Sequence, residues 1–410
     1  MPRNSYIKLE KEIALRKYPF PYHAMISICS DLDETPNKDV YIESSRFLNT
    51  SHITSMGVGV DLEVGNTIYF DMPKDEFSYT NTDEDGRSKI QTLIKSGHID
   101  CIHSFGDFVN KRETAQSYLT QLKEHDCYLE VWVDHAAAPT NLDNDIMFGQ
   151  GDIPESNAYV ADLLCEFGIS FIWKGRVTSV VAQNAKRSLG GIYRPAKKIA
   201  SIRTIFKEQI KHLLGGIGYK KYKMHKINRL IQPFILSNGV EVYEFMRANP
   251  SWEGVSSHET ARDIHQVLTK RMLDQLIFMG GCSILYTHLG KVIDINKPFS
   301  NKAIKAFQLL SSYYQNGKIL VATTRRVLGY QRTIEDISYQ ISDVGGNLQI
   351  DAQSKYSGRD LQGLTWYIPE DREVLLYING KQIDTIKNDP DSTGKVSISI
   401  PWSKLTFPEF

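Results

Sequence analysis

Acidic and imidazole side chains follow several short apolar runs of the sequence, at the point where each run ends. Asp31 and Asp33 follow the run HAMISIC within the stretch SDLDET. His103 closes the run IDCIH, His135 follows YLEVWVD, and His288 closes CSILYTH. Carboxylates are costly to bury alone, so acids at the end of a buried strand are usually solvated, paired or metal-bound. Two imidazoles and a carboxylate are a common ligand set for a catalytic divalent metal.

The elements that carry these residues determine whether they can meet. Six short runs have the length and β-branched content of buried strands: MISICS, IDCIH, YLEVWVDH, ISFIW, CSILYTH and ILVATT. Amphipathic helical patterns lie near them, at 111–124, 156–167 and 258–279. This alternation predicts an α/β fold with a parallel sheet closed into a (β/α) barrel, seven-stranded or distorted. Because the carboxyl ends of barrel strands converge on one face, we expect the candidate residues to be neighbours.

The pattern of apolar residues in the sequence changes near residue 335. Runs of roughly period two, separated by Gly, Asn, Asp and Pro, predict antiparallel strands. We therefore divide the chain into a barrel at 1–334 and a small β-sandwich-like domain at 335–410. Within the second part, Asn379-Gly380 predicts a tight hairpin. This domain either binds carbohydrate or covers an edge of the barrel, and we favour the second interpretation.

Composition limits the possible partners and compartments. The 410 residues include 48 basic and 48 acidic ones, and this neutral balance argues against a general nucleic-acid-binding protein. The five cysteines show no CxxC spacing, which favours buried free thiols in a reducing compartment. No signal-peptide pattern and no run of about 18 apolar residues is present. We expect a soluble, cytoplasmic protein.

One segment, residues 185–232, departs from this balance. It contains thirteen Lys or Arg residues and a single acid, Glu208. One interpretation is a solvated helical insertion in the barrel. The other is a surface for an anionic glycan or for membrane headgroups, because apolar residues could form a stripe under the charges. These residues are Ile202, Ile205, Phe206, Ile210, Leu213 and Leu214.

Each candidate site residue also has a plainer interpretation. Asp31 or Asp33 could cap the segment that follows, and His103 or His135 could be a core histidine with satisfied hydrogen bonds. Asp107, in HSFGD, could bind a metal, orient a ligand histidine, or cap the helix that starts near residue 111. His98 precedes its strand, so we assign it a structural role at the opposite end of the barrel.

The order of SDLDET, a strand ending in His103, and a late LYTH resembles the polysaccharide deacetylases with NodB homology, carbohydrate esterase family 4. The resemblance covers roughly residues 20 to 330 and implies a barrel of the glycoside hydrolase/deacetylase superfamily. In that family a T-F-D-D motif supplies a catalytic base and a metal ligand. An H-x-x-x-H-type motif supplies two more ligands, and a late L-x-H supplies the acid. Here Leu32 stands where the family has its second Asp.

Carried over by position, the resemblance implies metal-dependent hydrolysis of an N-acetyl or O-acetyl group on a sugar or glycan. Asp31 is then the base and His288 the acid. Asp33 and His103 bind the metal, most simply zinc, and His135 or Asp107 completes the set. Two other functions stay open. One is a glycoside hydrolase or lyase that uses Asp31 and Asp134 as paired carboxylates, and the other is an inactive, glycan-binding barrel.

Overall fold

A computed structural model describes residues 13–31, 33–106, 108–250 and 258–410. The α-helices in these ranges are α1 Lys38–Asn49, α2 Glu84–Ser96, α3 Arg112–Glu124, α4 Ala161–Phe167, α5 Lys198–Gly216, α6 Lys223–Ile227, α7 Lys270–Met279, α8 Asn301–Gln315 and α9 Thr324–Asp336. The strands are β1 Ala14–Leu15, β2 Ala24–Ser30, β3 Ile53–Thr54, β4 Gly57–Val58, β5 Gly65–Ile68, β6 Ile99–His103, β7 Val131–Val133, β8 Phe171–Trp173, β9 Val177–Thr178, β10 Ile231–Ile235, β11 Glu241–Phe245, β12 Arg247–Ala248, β13 Cys282–Thr287, β14 Ile319–Val321, β15 Ser338–Val344, β16 Asn347–Gln353, β17 Thr365–Tyr367, β18 Val374–Ile378, β19 Lys381–Ile383, β20 Ile386–Asn388 and β21 Ser397–Ser399.

A curled sheet of eleven strands forms the centre of the molecule. Its order is β10-β11-β8-β7-β6-β5-β2-β13-β12-β9, and β14 also pairs with β2. All of these pairs are parallel except β10 with β11. The predicted mixed α/β fold with a parallel sheet is therefore confirmed.

Side chains of the central strands alternate between two cores. In β2, Met25 and Cys29 belong to an inner core, whereas Ile26 and Ile28 pack in an outer core. Each strand is buried on both faces, which explains why it reads as an almost continuous apolar run in the sequence. The odd-numbered residues of β2 therefore point into the interior of the curled sheet.

All six predicted strands are present, but the sequence analysis missed several others. Strands β5, β9, β10, β11 and β12 were not predicted; β5, β9 and β12 have four residues or fewer. The helix predicted at 258–279 is also shorter than expected. It begins at Lys270, where the hydroxyl of Thr269 accepts a hydrogen bond from the amide of Met272. The residues just before it form a short 3-10 turn at Ile264–Gln266.

Two four-stranded sheets account for the strands after residue 337. One has the order β15-β16-β18-β19, and the other, β1-β17-β21-β20, includes the N-terminal strand β1. The expectation of purely antiparallel strands is wrong for one pair, since β16 and β18 are parallel. The predicted hairpin is confirmed: Asn379 and Gly380, both with positive φ, join β18 to β19. The division of the chain at residue 335 stays a prediction.

Helix α9 closes the end of the central sheet at which the strands begin. The amide of Arg325 donates to Asp100 at the start of β6, and Arg332 reaches Ser170 just before β8. Gln331 contacts the sulfur of Met25 near the start of β2. We call this the strand-start end, and the opposite one the strand-end face.

All five cysteines are unpaired, and only Cys165 is not fully buried. None of the helices in the described ranges combines the length and apolar content needed to cross a membrane. The expected cytoplasmic location stays a prediction.

Candidate functional site

The inner rows of side chains continue past the strands onto the strand-end face. Because side chains alternate along a strand, Asp31 lies on the same face as Cys29, and His103 on the same face as Cys101. His135 follows Val133 in the same way, and His288 follows Tyr286. The neighbouring cysteines and valine belong to the inner core, and Tyr286 packs against it. The alternation of side chains along four parallel strands thus directs one carboxylate and three imidazoles inward.

These predicted residues lie close together. Oδ1 of Asp31 is 3.5 Å from Nδ1 of His103, and Oδ2 of Asp31 is 3.9 Å from Nε2 of His288. Asp33, in the loop after β2, has an oxygen 3.3 Å from the same nitrogen of His288. Four of the predicted residues are therefore close enough to interact directly through their charges.

Asp33, His103 and His135 form a cluster that could hold a metal ion. One potential ligand atom from each of them lies within 4.8 Å of the other two. His103 is buried, and the other two are partly exposed. Of the alternatives left open for the last ligand, His135 joins the cluster. Asp107 lies outside the described residues.

Tyr69 is a member of this cluster that the sequence analysis missed. Its hydroxyl is hydrogen-bonded to Asp33, and it lies 3.3 Å from Nε2 of His103 and 3.0 Å from Nδ1 of His135. Its ring also stacks on His103, with 4.3 Å between ring centroids. Tyr69 follows β5, a short strand whose inner residue Thr67 contacts His103 as well. A phenol oxygen therefore lies beside all three potential ligands.

Arg247 holds Asp31 through two parallel hydrogen bonds. Its Nη1 donates to Oδ2 at 2.8 Å, and its Nη2 donates to Oδ1 at 2.5 Å. Nη2 also donates to the carbonyl oxygen of Cys29. Both charged side chains are almost fully buried. A two-pronged pair of this kind fixes the orientation of the carboxylate as well as its charge.

Aromatic rings enclose the guanidinium of Arg247. Its central carbon lies 4.5 Å from the ring centre of Trp173 and 4.8 Å from that of Tyr286. Contacts of this kind stabilise a desolvated cation. Burial would lower the pKa of Arg247, but the charge and hydrogen bonds of Asp31, with the nearby Cys29 and Tyr286, together outweigh burial and raise it. Arg247 thus stays a fixed positive charge beneath Asp31.

His288 has acidic side chains on both sides of its ring. Its Nε2 faces Asp33 and Asp31, and its Nδ1 is 3.7 Å from Oε1 of Glu259. Both Nδ1 of His288 and Oε2 of Glu259 are buried without a hydrogen bond. The backbone holds the two residues in place, because the amide of His288 donates to the carbonyl oxygen of Glu259. Glu259 can therefore orient the imidazole.

The environment of the cluster separates the protonation states of its members. Burial would raise the pKa of Asp33, but the hydrogen bond and charge of His288, with the other two imidazoles, hold it well below its usual range. Burial lowers the pKa of His103 to about 3, despite the nearby Asp31. Burial, with Asp33 and Asp31, raises the pKa of Tyr69. Near neutral pH the cluster thus has an ionised carboxylate, a neutral His103 and a neutral phenol.

Asp134, a predicted partner of Asp31, has a different environment. It follows Val133 by one residue and so points to the outer side, opposite to His135. One of its oxygens accepts hydrogen bonds from Nε1 of Trp132 and the amide of Leu142, and the other accepts one from the amide of Asp143. Burial raises the pKa of Asp134 to about 6. Asp134 therefore organises the loop after β7.

His98 lies at the strand-start end, as predicted. It is buried next to Phe407, with 5.0 Å between ring centroids, and its Nδ1 contacts the hydroxyl of Ser96. It is remote along β6 from His103, which closes the same strand.

Three site residues escaped the sequence analysis for different reasons. Tyr69 follows a strand of only four residues, which has no clear apolar run. Glu259 lies within the segment 258–279 that the sequence analysis predicted as a helix, and no strand end marked it as a site residue. Arg247 carried a usable signal, because a lone arginine inside the apolar stretch FMRA requires a buried acidic partner.

Comparisons with protein-family models, with curated proteins and with solved structures found no match to this chain.

Proposed function

We propose that this protein is a metal-dependent deacetylase that hydrolyses the N-acetyl, or alternatively the O-acetyl, group of a sugar or glycan. One observation carries the proposal: Asp33, His103 and His135 converge within 4.8 Å. Beside them lie an Asp31 held by arginine and a His288 that faces a glutamate. A metal-type cluster flanked by a candidate base and a candidate acid suits amide hydrolysis.

The donor set fits a divalent cation, with zinc as the proposed ion. Asp33, His103 and His135 would hold it, and the hydroxyl oxygen of Tyr69 is a fourth donor atom at the same point. His103 suits this role because its low pKa leaves a nitrogen lone pair available. When bound, such an ion supplies Lewis acidity that polarises a carbonyl group and lowers the pKa of water.

Asp31 is proposed as the general base. Arg247 fixes the direction of both oxygens of its carboxylate. The carboxylate lies between His103 and His288, at the centre of the strand-end face. From there it can accept a proton from the attacking water.

His288 is proposed as the general acid. Nε2 points toward Asp31 and Asp33, so a proton on this atom is directed at the reacting centre. Glu259 faces the other side of the ring and orients it. The proton on Nε2 would then pass to the departing amine of the sugar.

The proposed architecture is a distorted seven-stranded (β/α) barrel. Three residues separate β8 from β9, and a single residue separates β11 from β12. Strand β11 pairs with β8, and β12 pairs with both β9 and β13. If β8 and β9 are counted as one bent strand, and β11 and β12 as another, the pairs form a ring of seven strands. Its order is β2, β5, β6, β7, β8/β9, β11/β12, β13 and back to β2, so the sheet closes.

The geometry gives less support to the paired-carboxylate alternative. Asp134 faces the outer side and uses both of its oxygens on the protein. Asp31 is already engaged by Arg247. A glycosidase needs both carboxylates to flank the scissile bond.

Metal analysis of the purified full chain, together with acetate release from a panel of N-acetylated and O-acetylated sugars, tests the proposal. We expect about one equivalent of divalent metal and acetate release that a chelator abolishes. Asp33→Ala and His103→Ala should lose both the metal and the activity. His98→Ala changes a buried histidine remote from the cluster and serves as the control, so it should retain both.

Two outcomes would contradict the proposal in different ways. Glycan cleavage that persists in chelator would support the glycoside hydrolase alternative. A chain that holds no metal and releases no acetate from any sugar of the panel would support the glycan-binding alternative.

A further inference from the structure

Helix α5 carries its apolar side chains on the side that faces solvent. Six residues, spaced three or four apart, lie on one face of this helix. They are Ile199, Ile202, Phe206, Ile210, Leu213 and Ile217, and each is between 40% and 86% exposed. We call this set the α5 stripe. Two residues expected on it from the sequence, Ile205 and Leu214, are half-buried beside it.

The polar side of α5 holds the helix against the protein. Glu208 lies about 180° around the helix from the stripe, at about 100° per residue. Its carboxylate accepts hydrogen bonds from the hydroxyl of Thr178 at 2.8 Å and from the amide of Ser179 at 3.2 Å. It also accepts one from Lys211 and pairs with His225. A surface helix normally buries its apolar face, so α5 has the inverse arrangement.

These contacts fix the orientation of α5. Despite burial, His225 and Lys211 lower the pKa of Glu208 to about 2, which keeps the anchor ionised. Close packing at the end of the helix adds a second constraint: a Cβ on Gly215 would lie 2.2 Å from the carbonyl oxygen of Tyr222. Rotation of the helix to bury the stripe would break the contacts of Glu208 and Gly215.

Exposed cations border the stripe. Arg203 and Lys207 lie along one side of it, and Lys198 lies along the other. Lys220, Lys223 and Lys226, just after the helix, are also exposed. The only acid of residues 185–232, Glu208, is buried on the opposite side of the helix. The stripe therefore lies in a field of positive charge.

We propose that the α5 stripe and its bordering cations bind the surface of a membrane that contains anionic phospholipids. An apolar face with Lys and Arg at its borders is the pattern of a helix lying in the plane of a lipid interface. The nineteen residues of α5 extend over about 28 Å, and exposed apolar patches of this kind are interaction sites. Pairing of two copies through the stripe is disfavoured, because it would bring like charges together.

Membrane binding does not depend on the proposed catalytic function. Thr178 and Ser179, which hold Glu208, belong to or follow β9, and β9 pairs with the strand that carries Arg247. The docking helix is thus attached to the same sheet as the candidate site.

Cosedimentation of the full chain with vesicles tests the proposal. We expect binding to vesicles of equal parts phosphatidylglycerol and phosphatidylcholine, and much weaker binding to pure phosphatidylcholine. Raising the salt concentration should weaken the binding. Ile199→Ser should lower the partition coefficient about tenfold because it removes an apolar side chain that membrane binding would bury in the lipid interface. Lys207→Gln should lower it about fivefold.

Ile53→Ser is the matched control, since Ile53 is as exposed as Ile199 but lies on β3, outside the basic segment. It should bind vesicles like the wild type, and thermal melting should be unchanged in all three variants. Equal binding to both vesicle types, or equal losses for Ile53→Ser and Ile199→Ser, would overturn the proposal. So would absence of vesicle binding together with a dimer in sedimentation velocity that Ile199→Ser dissociates.

Discussion

The two ends of the central sheet both bury charged side chains, but they pair them differently. At the strand-start end, helix α9 supplies three arginines, and each guanidinium is matched with carboxylates. The pairs are Arg325 with Asp360 and Glu130, Arg326 with Glu63, and Arg332 with Asp360. We call these ion pairs the strand-start network; they join α9 to residues that precede β5 and β7 and to the 3-10 turn at Gly358–Leu361.

At the strand-end face Arg247 pairs with Asp31, and the ammonium group of Lys291 lies 3.8 Å from Asp33. Imidazoles supply the other partners. An arginine stays protonated at any ordinary pH. An imidazole, in contrast, can bind or release a proton near neutrality, or offer the lone pair of a ring nitrogen to an ion. The comparison indicates that the strand-start network can only stabilise the fold, while the strand-end group can also move protons or bind an ion.

The largest effect that we predict is a loss of catalytic turnover from a substitution at the strand-end face. Asp31→Asn should lower the proposed deacetylation by about two to four orders of magnitude, because it removes the proposed general base. Metal content should stay near wild type, since Asp31 lies outside the metal cluster. The measurements are acetate release and elemental analysis of the same preparation.

Asp100→Asn is the matched control at the strand-start end. Asp100 is also a buried carboxylate, and it accepts a hydrogen bond from the amide of Arg325, which the side-chain oxygen of an asparagine can also accept. This variant should retain turnover. Full activity in Asp31→Asn, or equal losses in both variants, would remove the distinction between the two ends.

The second prediction concerns stability. Arg325→Ala should lower the free energy of unfolding by about 3–5 kcal/mol, because it leaves Asp360 and Glu130 without this partner inside the protein. Urea unfolding followed by fluorescence measures the change. Turnover per folded molecule should not change.

Arg359 provides the control for Arg325, since it also pairs with Glu130 but is more than half exposed. Arg359→Ala should cost no more than about 1 kcal/mol, as exposed ion pairs contribute little. A similar loss in both variants would mean that burial does not set the strength of the strand-start network.

Much of the strand-end face follows from strand alternation in the sequence. Once Met25 and Cys29 are taken as one row, Asp31 must share their side of the strand. The same count separates His135 from Asp134, although the sequence analysis treated both as site residues for different functions. The alternation therefore contained more information than the residue types alone.

The remainder depends on contacts between distant parts of the chain. Arg247 lies 216 residues from Asp31 in the sequence, and neither local pattern names the other as its partner. Tyr69 follows a strand too short to be recognised by periodicity. The strand-start network could not be predicted either, because α9 and the C-terminal strands meet only through tertiary packing.

The smallest effect we predict is a dependence of stability on pH that involves His98 at the strand-start end. Burial, with a contribution from Lys404, lowers its pKa from 6.5 to about 4 in the folded protein. The unfolded chain then binds more protons between these values, so stability is present above pH 6.5 and declines as the pH falls toward 4. Between pH 7 and pH 5.5 this histidine should account for about 1 kcal/mol of the loss in the free energy of unfolding.

Urea unfolding at both pH values should show a smaller loss in His98→Asn than in wild type, whereas His52→Asn, at an exposed histidine, should leave the loss unchanged. An unaltered loss in His98→Asn would mean that the acid sensitivity of the fold comes from the strand-end imidazoles instead.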